Sequence, residues 1–250
     1  MKHNTTIAQS FGPAANAYLT SSVHAQGEDL KTLAAMVAKT PSVRVLDLGC
    51  GAGHATFAAA SSAAEVVAYD LTEEMLAVVK AEAARRGLSN ISTQAGSADK
   101  LPFPNASFDW VVSRYSAHHW RNLPLALSEV KRVLKPGGSI CFIDVAGGRE
   151  PLFDTWLQSI ELLRDPSHVR DLTEQEWLTH FWAVGLNVRI ERRWRLPIEF
   201  TAWITRIGTP EDRVAAIQSM WKAAPAEVRQ AYSLQPDFSF ELDALMLVGK

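Results

Sequence analysis

Val43-Arg44-Val45-Leu46-Asp47-Leu48-Gly49-Cys50-Gly51-Ala52-Gly53-His54 is the stretch that decides the fold. Val43, Val45, Leu46 and Leu48 are apolar and β-compatible, the pattern of a buried strand. Glycines then alternate at 49, 51 and 53, and Ala55 to Ala60 opens an alanine-rich helix. A strand that turns on glycines into a helix is a docking place for a ligand. Missing Cβ atoms let the ligand approach the backbone, and the helix N-terminus offers unpaired N–H groups. The spacing is not the dinucleotide G-x-G-x-x-G, because His54 stands where its last glycine would fall.

Downstream, strands and helices alternate. Glu65 to Asp70 reads as a second strand. Thr72 caps a helix with first-turn acids that runs to Arg86, with Gly87 as its C-cap. Ile91 to Gln94 and Phe108 to Ser113 read as the third and fourth strands. A helix over Leu123 to Leu134 is stopped by Lys135-Pro136-Gly137-Gly138, and Ser139 to Val145 is a fifth strand. Apolar strands in β-α alternation predict a parallel sheet covered on both faces.

Upstream, residues 5–39 read as helical, broken at Phe11-Gly12-Pro13. Tyr18, Leu19, Val23, Leu30, Leu33, Ala34 and Val37 recur at helical spacing, and Pro41 ends the segment. These helices are expected over the sheet rim. After Val145, Gly147-Gly148 is a hinge-like junction. A helix over Pro151 to Arg164, a polar turn over 164–171 and a second helix opened by the capping box Thr173-Glu174-Gln175-Glu176 follow. Gly185 closes that helix. Residues 186–196 predict a strand with Val188, Ile190, Trp194 and Leu196 on one face and Arg189, Glu191, Arg193 and Arg195 on the other, solvated face. Helical stretches near 210–223 and 225–232 precede a last strand, Phe238 to Val248.

The 250 residues suit a single domain, divided into N-terminal helices (1–40), a core (41–145), a cap insertion with strand six (146–200) and a C-terminal part (201–250). With 47% hydrophobic and 21% charged residues and a net charge of −2, the chain reads as a globular enzyme with no global electrostatic case for nucleic acid. Cys50 and Cys141, in apolar strand-like contexts, read as reduced buried thiols. No run approaches the roughly 20 apolar residues of a membrane span, and the N-terminus lacks an apolar signal core, so a cytoplasmic location is expected.

In open α/β sheets a ligand sits outside the carboxyl ends of the strands at the switch point. Asp70 closes the second strand, 17 residues after Gly53; it is placed either to accept from ribose hydroxyls or to cap the next helix. Ala98 and Asp99 follow the third strand, where an N–H and a carboxylate suit an adenine edge, or where an acid merely ends a turn. Arg114, His118 and His119 follow the fourth strand. Adjacent histidines do not have metal-ligand spacing, so no metal is expected; either imidazole is a candidate base, or it packs against a backbone group.

Together Val45 to Gly53, Asp70, Ala98-Asp99, Leu101-Pro102-Phe103, Phe108-Asp109 and Leu134-Lys135-Pro136-Gly137-Gly138 resemble the ordered motifs of class I S-adenosylmethionine-dependent methyltransferases, in the branch around the ubiquinone/menaquinone C-methyltransferases. The resemblance covers about residues 43–145. It implies a Rossmann-like α/β fold: a seven-stranded, mostly parallel sheet with an antiparallel last strand, helices on both faces, N-terminal helices and a helical cap inserted after strand 5. The implied cofactor is S-adenosyl-L-methionine. Gly49, Gly51 and Gly53 would make room for its methionine part, and Asp47 would hold the amino group directly or through water. Asp70 would take the ribose hydroxyls, Leu71 would pack on adenine, and Ala98 and Asp99 would read the adenine edge. Arg114 would border the methionine part and the acceptor, and Tyr18 either closes over the cofactor or is core. The stretches around Arg114 to His119 and Arg164 to Arg170 also resemble a bacterial subgroup of small methyltransferases.

Methyl transfer from a sulfonium is an in-line displacement with a good, neutral leaving group, so alignment carries most of the work, on the order of 7–11 kcal/mol. His118 and His119 are the candidate bases, with Arg114 beside them and His168 from the cap a weaker one. Trp156, Arg164, His168, Arg170 and Trp177 are candidate acceptor contacts; Trp156, Trp177, Phe181 and Trp182 either wall an apolar pocket or form lid core. The expected acceptor is a small molecule, with an apolar or aromatic carbon or oxygen nucleophile as the leading class. The competing readings are an NAD(P)-dependent oxidoreductase and a non-catalytic S-adenosylmethionine-binding protein. Oligomeric state is not legible.

Overall fold

The computed structural model describes residues 2–21, 27–40 and 42–250; Val23 and Pro41 of the N-terminal pattern lie outside them. The glycine-loop strand, β1 (Arg44–Leu48), is an interior strand of a seven-stranded sheet, third in its order. Its neighbours are β2 (Glu65–Asp70), β3 (Ile91–Ala95), β4 (Phe108–Arg114), β5 (Leu134–Val145), β6 (Val188–Ile198) and β7 (Phe240–Gly249), in the order β3-β2-β1-β4-β5-β7-β6. The pairs among β1 to β5 are parallel, and β7 runs antiparallel between β5 and β6. The chain leaves β1 toward β2 and β3, then returns to β4 on the other side of β1. That reversal creates the switch point.

Sheet alternation sends Val45, Val66, Val112 and Ile143 to one face, where α3 (Glu28–Val37) and α4 (His54–Ala60) cover them with Leu33, Val37, Ala55 and Ala59. On the same side α5 (Glu73–Arg85) packs Leu76 and Val79 against Phe57 and Ala68. Leu46, Leu48, Val67 and Val111 point to the other face, under α6 (Leu123–Val133) and α8 (Glu174–Ala183). Asn122 caps α6 by accepting from the Leu125 N–H, and Leu123, Leu127 and Val130 form its buried stripe.

Several boundaries differ from the sequence reading for local reasons. The helix expected to reach Leu134 ends at Val133, because Leu134 already pairs with Phe108 in β5. Lys135 to Gly138 is a register irregularity within that strand, with Gly137 at φ 77°. In β6 a bulge between Ile190 and Arg192 inserts Glu191 and swaps the faces. Val188 and Ile190 therefore pack on the α8 side and Trp194 on the α3 side, rather than sharing one face. A helix that the sequence reading did not separate, α9 (Phe200–Ile207), is capped by Glu199, which accepts from the Thr201 and Ala202 N–H groups.

The 146–200 segment divides between two layers. Its first helix, α7 (Pro151–Arg164), joins α9, α10 (Glu211–Ala223) and α11 (Ala226–Ala231) around Trp203, Trp221, Tyr232 and Phe240. Its second, α8, covers the sheet with Trp177 and Phe181 against Phe142. Trp182 is 76% exposed. Both cysteines are buried free thiols. Among the described residues, no helix is long and apolar enough to cross a membrane.

Candidate functional site

A cavity of about 1120 Å³, counting its open mouth, lies at the carboxyl ends of β1 to β4. Four successive strand-end loops line it: Asp47 to Ala52 after β1, Asp70 to Thr72 after β2, Gly96 to Asp99 after β3, and Arg114 to Ser116 with His119 to Asn122 after β4. Two N-terminal helices, α1 (His3–Phe11) and α2 (Ala15–Thr20), close it with Asn4, Ile7, Phe11 and Tyr18.

The glycines do different things. Gly49, Gly51 and Gly53 have φ of 71°, 50° and 90°, which L side chains adopt only with strain. A Cβ on Gly49 would fall 1.9 Å from Ser116 Oγ, and one on Gly53 would press on Val79 and Phe57. A Cβ on Gly51 meets nothing within 4 Å among the described residues. Gly51 borders the cavity, whereas Gly53 is absent from its lining and serves the packing of α4 on α5.

Asp47 is fully buried at the cavity floor. Its Oδ2 accepts from Thr56 Oγ1 at 2.6 Å, and its Oδ1 has no partner among the described residues. Burial pushes its carboxyl up to about 7 against the lowering bond from Thr56. Asp70 holds two loops at once: Oδ2 accepts from the Gly51 N–H at 2.8 Å and Oδ1 from the Thr72 N–H at 2.9 Å. It thus ties the glycine loop to the turn that leads into α5. Burial raises its carboxyl, partly offset by those N–H groups. The orphan Asp47 oxygen and the open Gly51 surface suit a ligand carrying a cationic group laid against the backbone.

Arg114 and Asp29 form a buried ion pair, Nε to Oδ2 at 2.6 Å, that ties β4 to α3. Asp29 has no sequence signal beyond being an acid in a first helical turn. The next residue, Tyr115, has a left-handed φ of 50°, which drops the chain from β4 into the 3-10 turn Ala117–His119.

The two histidines separate. His118 lies outside the lining, with Nδ1 2.6 Å from Asp144 Oδ1. Burial alone would lower it, but Asp144, by charge and hydrogen bond, raises it to about 9. His119 lines the cavity; burial, then the His118 charge, lowers it to about 3. Its Nδ1 faces Ser167, its ring meets the edge of Phe11 at 4.9 Å, and His3 reaches its carbonyl. His54, also in the lining, bonds the Tyr18 carbonyl through Nε2 at 3.0 Å and so fastens α2 to α4.

The residues expected to meet an acceptor are placed outside the lining. Trp177 is sheet core, and Trp156 stacks on Trp221 at 6.4 Å. Arg164 donates to the Trp203 carbonyl and to Tyr18 Oη. His168 bonds Gln158 at 2.8 Å, and Arg170 pairs with Glu176 and Asp154, joining α7 to α8. Apolar side chains in this segment satisfy the α7 and α8 cores first. Leu71, Ala98, Asp99 and Tyr18 do lie in the lining. The sequence reading missed Ile7, Phe11 and Trp120, because nothing local distinguishes them from helix and loop packing.

The comparisons agree with this arrangement. Residues 46–142, which supply the strand-end loops, match the model of a methyltransferase domain family. The uncharacterized protein YafE of Escherichia coli is 46% identical over 80% of this chain and 96% of its own length. The uncharacterized methyltransferase YcgJ of Bacillus subtilis is 37% identical over 96% of both chains. Its crystal structure superposes with a TM-score of 0.84, covering 89% of this chain and 97% of that one. Demethylmenaquinone methyltransferase of Lactococcus lactis is 31% identical over 54% of this chain and 56% of its own. With this sheet order, this strand-end cavity and relatives matched over nearly their whole length, the chain belongs to the class I S-adenosylmethionine-dependent methyltransferases.

Proposed function

We propose that this cavity binds S-adenosylmethionine against β1, β2 and β3, and that the enzyme methylates a small, apolar or aromatic molecule held on the β4 side. The observation that carries this reading is the convergence of the orphan Asp47 Oδ1, the open Gly51 and the Asp70 carboxylate on one wall. Asp47 would accept from the ammonium of the methionine part. Gly51 would let that part lie on the backbone, with Arg114 at its border. Asp70 would accept ribose hydroxyls with the lone pairs left beside Gly51 and Thr72. Leu71 would pack on adenine, Ala98 and Asp99 would read its edge, and Tyr18 would close the site. Gly49, also in the lining, would make room for the methionine part while packing on Ser116, and Gly53 enters this account as a packing residue.

The cofactor supplies an activated methyl group. The protein's part is to align the acceptor with it and to exclude water. Ile7, Phe11, Tyr115 and Trp120 offer apolar and aromatic surface for the acceptor. His119, neutral and in the lining, is the proton acceptor in this reading, and His118 is held away by Asp144. The net charge of −2 favours a small molecule over nucleic acid, and the reduced thiols suit a cytoplasmic setting.

Thermal unfolding with added ligand tests the reading. S-adenosylhomocysteine at a hundred times its Kd should stabilise the protein by about 2.7 kcal/mol, and NADH should have no effect. An unchanged transition with S-adenosylhomocysteine would refute it.

A further inference from the structure

What stands behind the His119 ring fixes which nitrogen it offers to the cavity. Nδ1 lies 3.2 Å from the Ser167 carbonyl oxygen and 3.3 Å from Ser167 Oγ. The Ser167 hydroxyl has a single hydrogen, and it donates to Asp165 Oδ2 at 2.8 Å. Its oxygen therefore turns a lone pair to Nδ1, as the carbonyl does. Both atoms facing Nδ1 are acceptors, so Nδ1 carries the proton, and a neutral imidazole then has a bare Nε2. Asp165 is fixed in turn: its Oδ1 accepts from the Ser167 N–H at 2.9 Å and from Ser10 Oγ at 3.0 Å. Ser167 and Asp165 are both essentially unexposed.

Building on the methyl-transfer reading above, the geometry points to Ser167 and Asp165 as positioning residues that hold His119 with a bare Nε2 toward the cavity, and to a hydroxyl compound as the methyl acceptor. A bare ring nitrogen accepts a hydrogen bond and so orients an acceptor whose reacting atom carries a proton. Amines that are protonated at neutral pH are disfavoured here, because the charges around the ring include the His118 imidazolium at a ring distance of 4.2 Å and the Arg164 guanidinium, against the Asp165 carboxylate at 3.7 Å. His168 faces the same ring at 6.5 Å and is held neutral at about 3 by burial and by the His118 charge.

The step balances. The hydroxyl oxygen attacks the methyl carbon and forms the new O–C bond, while the carbon–sulfur bond breaks with its electron pair left on sulfur. The hydroxyl proton passes to His119 Nε2. The positive charge of the sulfonium is thereby transferred to the imidazolium, beside Asp165, and the products are an ether and a neutral thioether. A base held low, at about 3, is sufficient for this. It is not asked to ionise a resting hydroxyl, only to take a proton that becomes strongly acidic as the oxygen bonds to carbon.

Two measurements test the proposal. In 15N-edited NMR of histidine-labelled protein at neutral pH, His119 Nδ1 should give a pyrrole-like signal and Nε2 a pyridine-like one, assigned by their loss in His119→Gln. Ser167→Ala should raise the minor tautomer roughly fivefold, the loss of one neutral hydrogen bond, and Ser167→Thr should restore it. A protonated Nε2 in the parent, or a Ser167→Ala spectrum identical to it, overturns the positioning role whether or not methyl transfer occurs. With methyl-labelled S-adenosylmethionine, catechol should give an ether at least about tenfold faster than benzylamine, an ammonium at neutral pH, gives an amine product. Ser167→Ala should lower kcat about two- to fivefold, no more than the loss of one neutral hydrogen bond, with KM little changed. Preference for the amine, methylation at ring carbon, or no ether from catechol, phenol or 1-naphthol overturns the hydroxyl assignment. The S-adenosylhomocysteine unfolding shift separates that failure from failure of the methyltransferase reading itself.

Discussion

His118 Nδ1 sits 2.6 Å from Asp144 Oδ1, deep behind the cavity, and this pair sets opposite charge states on two adjacent histidines. His118 is raised to about 9 by the Asp144 carboxylate against the effect of burial, while burial and that same imidazolium lower His119 to about 3. The neighbouring rings divide the work: His118 is a structural cation and His119 a neutral face of the cavity.

The His118 shift predicts a pH-dependent stability. The folded state holds this proton more tightly than the unfolded chain, whose imidazole titrates near about 6.5. The stabilisation is therefore complete below about 6.5 and lost as pH rises through about 9. The stability difference between the parent and His118→Asn should be largest near pH 6, about 3 kcal/mol as for a broken buried pair, and should shrink toward pH 10. Urea unfolding across that range checks it; a difference that grows with pH would contradict it.

Asp47 predicts the reverse use of burial. Its folded carboxyl is raised from 3.8 to about 7, so the native state binds the extra proton and stability falls as pH rises through that window. Ligand with an ammonium group needs the ionised form. Affinity for S-adenosylhomocysteine should therefore rise from pH 6 to pH 8, with proton release on binding near pH 6.5. Asp47→Asn should be more stable than the parent at pH 8 and should bind with neither feature. Calorimetry in buffers of different ionisation enthalpy measures both.

The glycine loop predicts a separation between folding and binding. Gly49→Ala forces a Cβ onto Ser116 Oγ at a left-handed φ, so it should destabilise the protein by several kcal/mol. Gly51→Ala meets open space and costs only its conformation, about 1–2 kcal/mol, yet puts a methyl group into the cavity. It should fold and lose cofactor affinity. Thermal unfolding and ligand titration on the two variants distinguish them.

Aromatic positions predict a similar split. Trp177 packs at ring distances of 6.0 Å from Phe142 and 5.6 Å from Phe181. Trp177→Ala should cost about 3–5 kcal/mol of stability with acceptor preference unchanged. Phe11→Ala, on the cavity wall, should change acceptor KM with a smaller stability loss. Chemical unfolding together with kinetics on each variant checks this.

The core was legible because β1, β2, β4 and β5 are continuous apolar runs, and because the strand-end positions Asp70 and Asp99 are fixed by chain order alone. The loop spacing likewise fixed where Gly49, Gly51 and Gly53 sit, though not that Gly51 has open space around it while Gly49 is crowded by Ser116 and Gly53 by Val79 and Phe57, residues distant in sequence. The bulge at Glu191 was hidden because a single inserted residue leaves the composition of β6 unchanged while swapping its faces. The pairing of Arg114 with Asp29 and of His118 with Asp144 joins residues 85 and 26 apart, and no local signal announces either. For the aromatics of 146–200, the pattern marks burial without saying against what; α7 and α8 bury them in two different cores.

The central claim is that the wall formed by Asp47, Gly51 and Asp70 holds the adenosyl cofactor, and calorimetric titration of S-adenosylhomocysteine into the parent and into Asp70→Asn tests it most directly. The account predicts a single site in the parent and affinity weaker by about 10- to 100-fold in the variant, the worth of a hydrogen bond to a charged group. No binding to the folded parent, or equal affinity in both proteins, would contradict it.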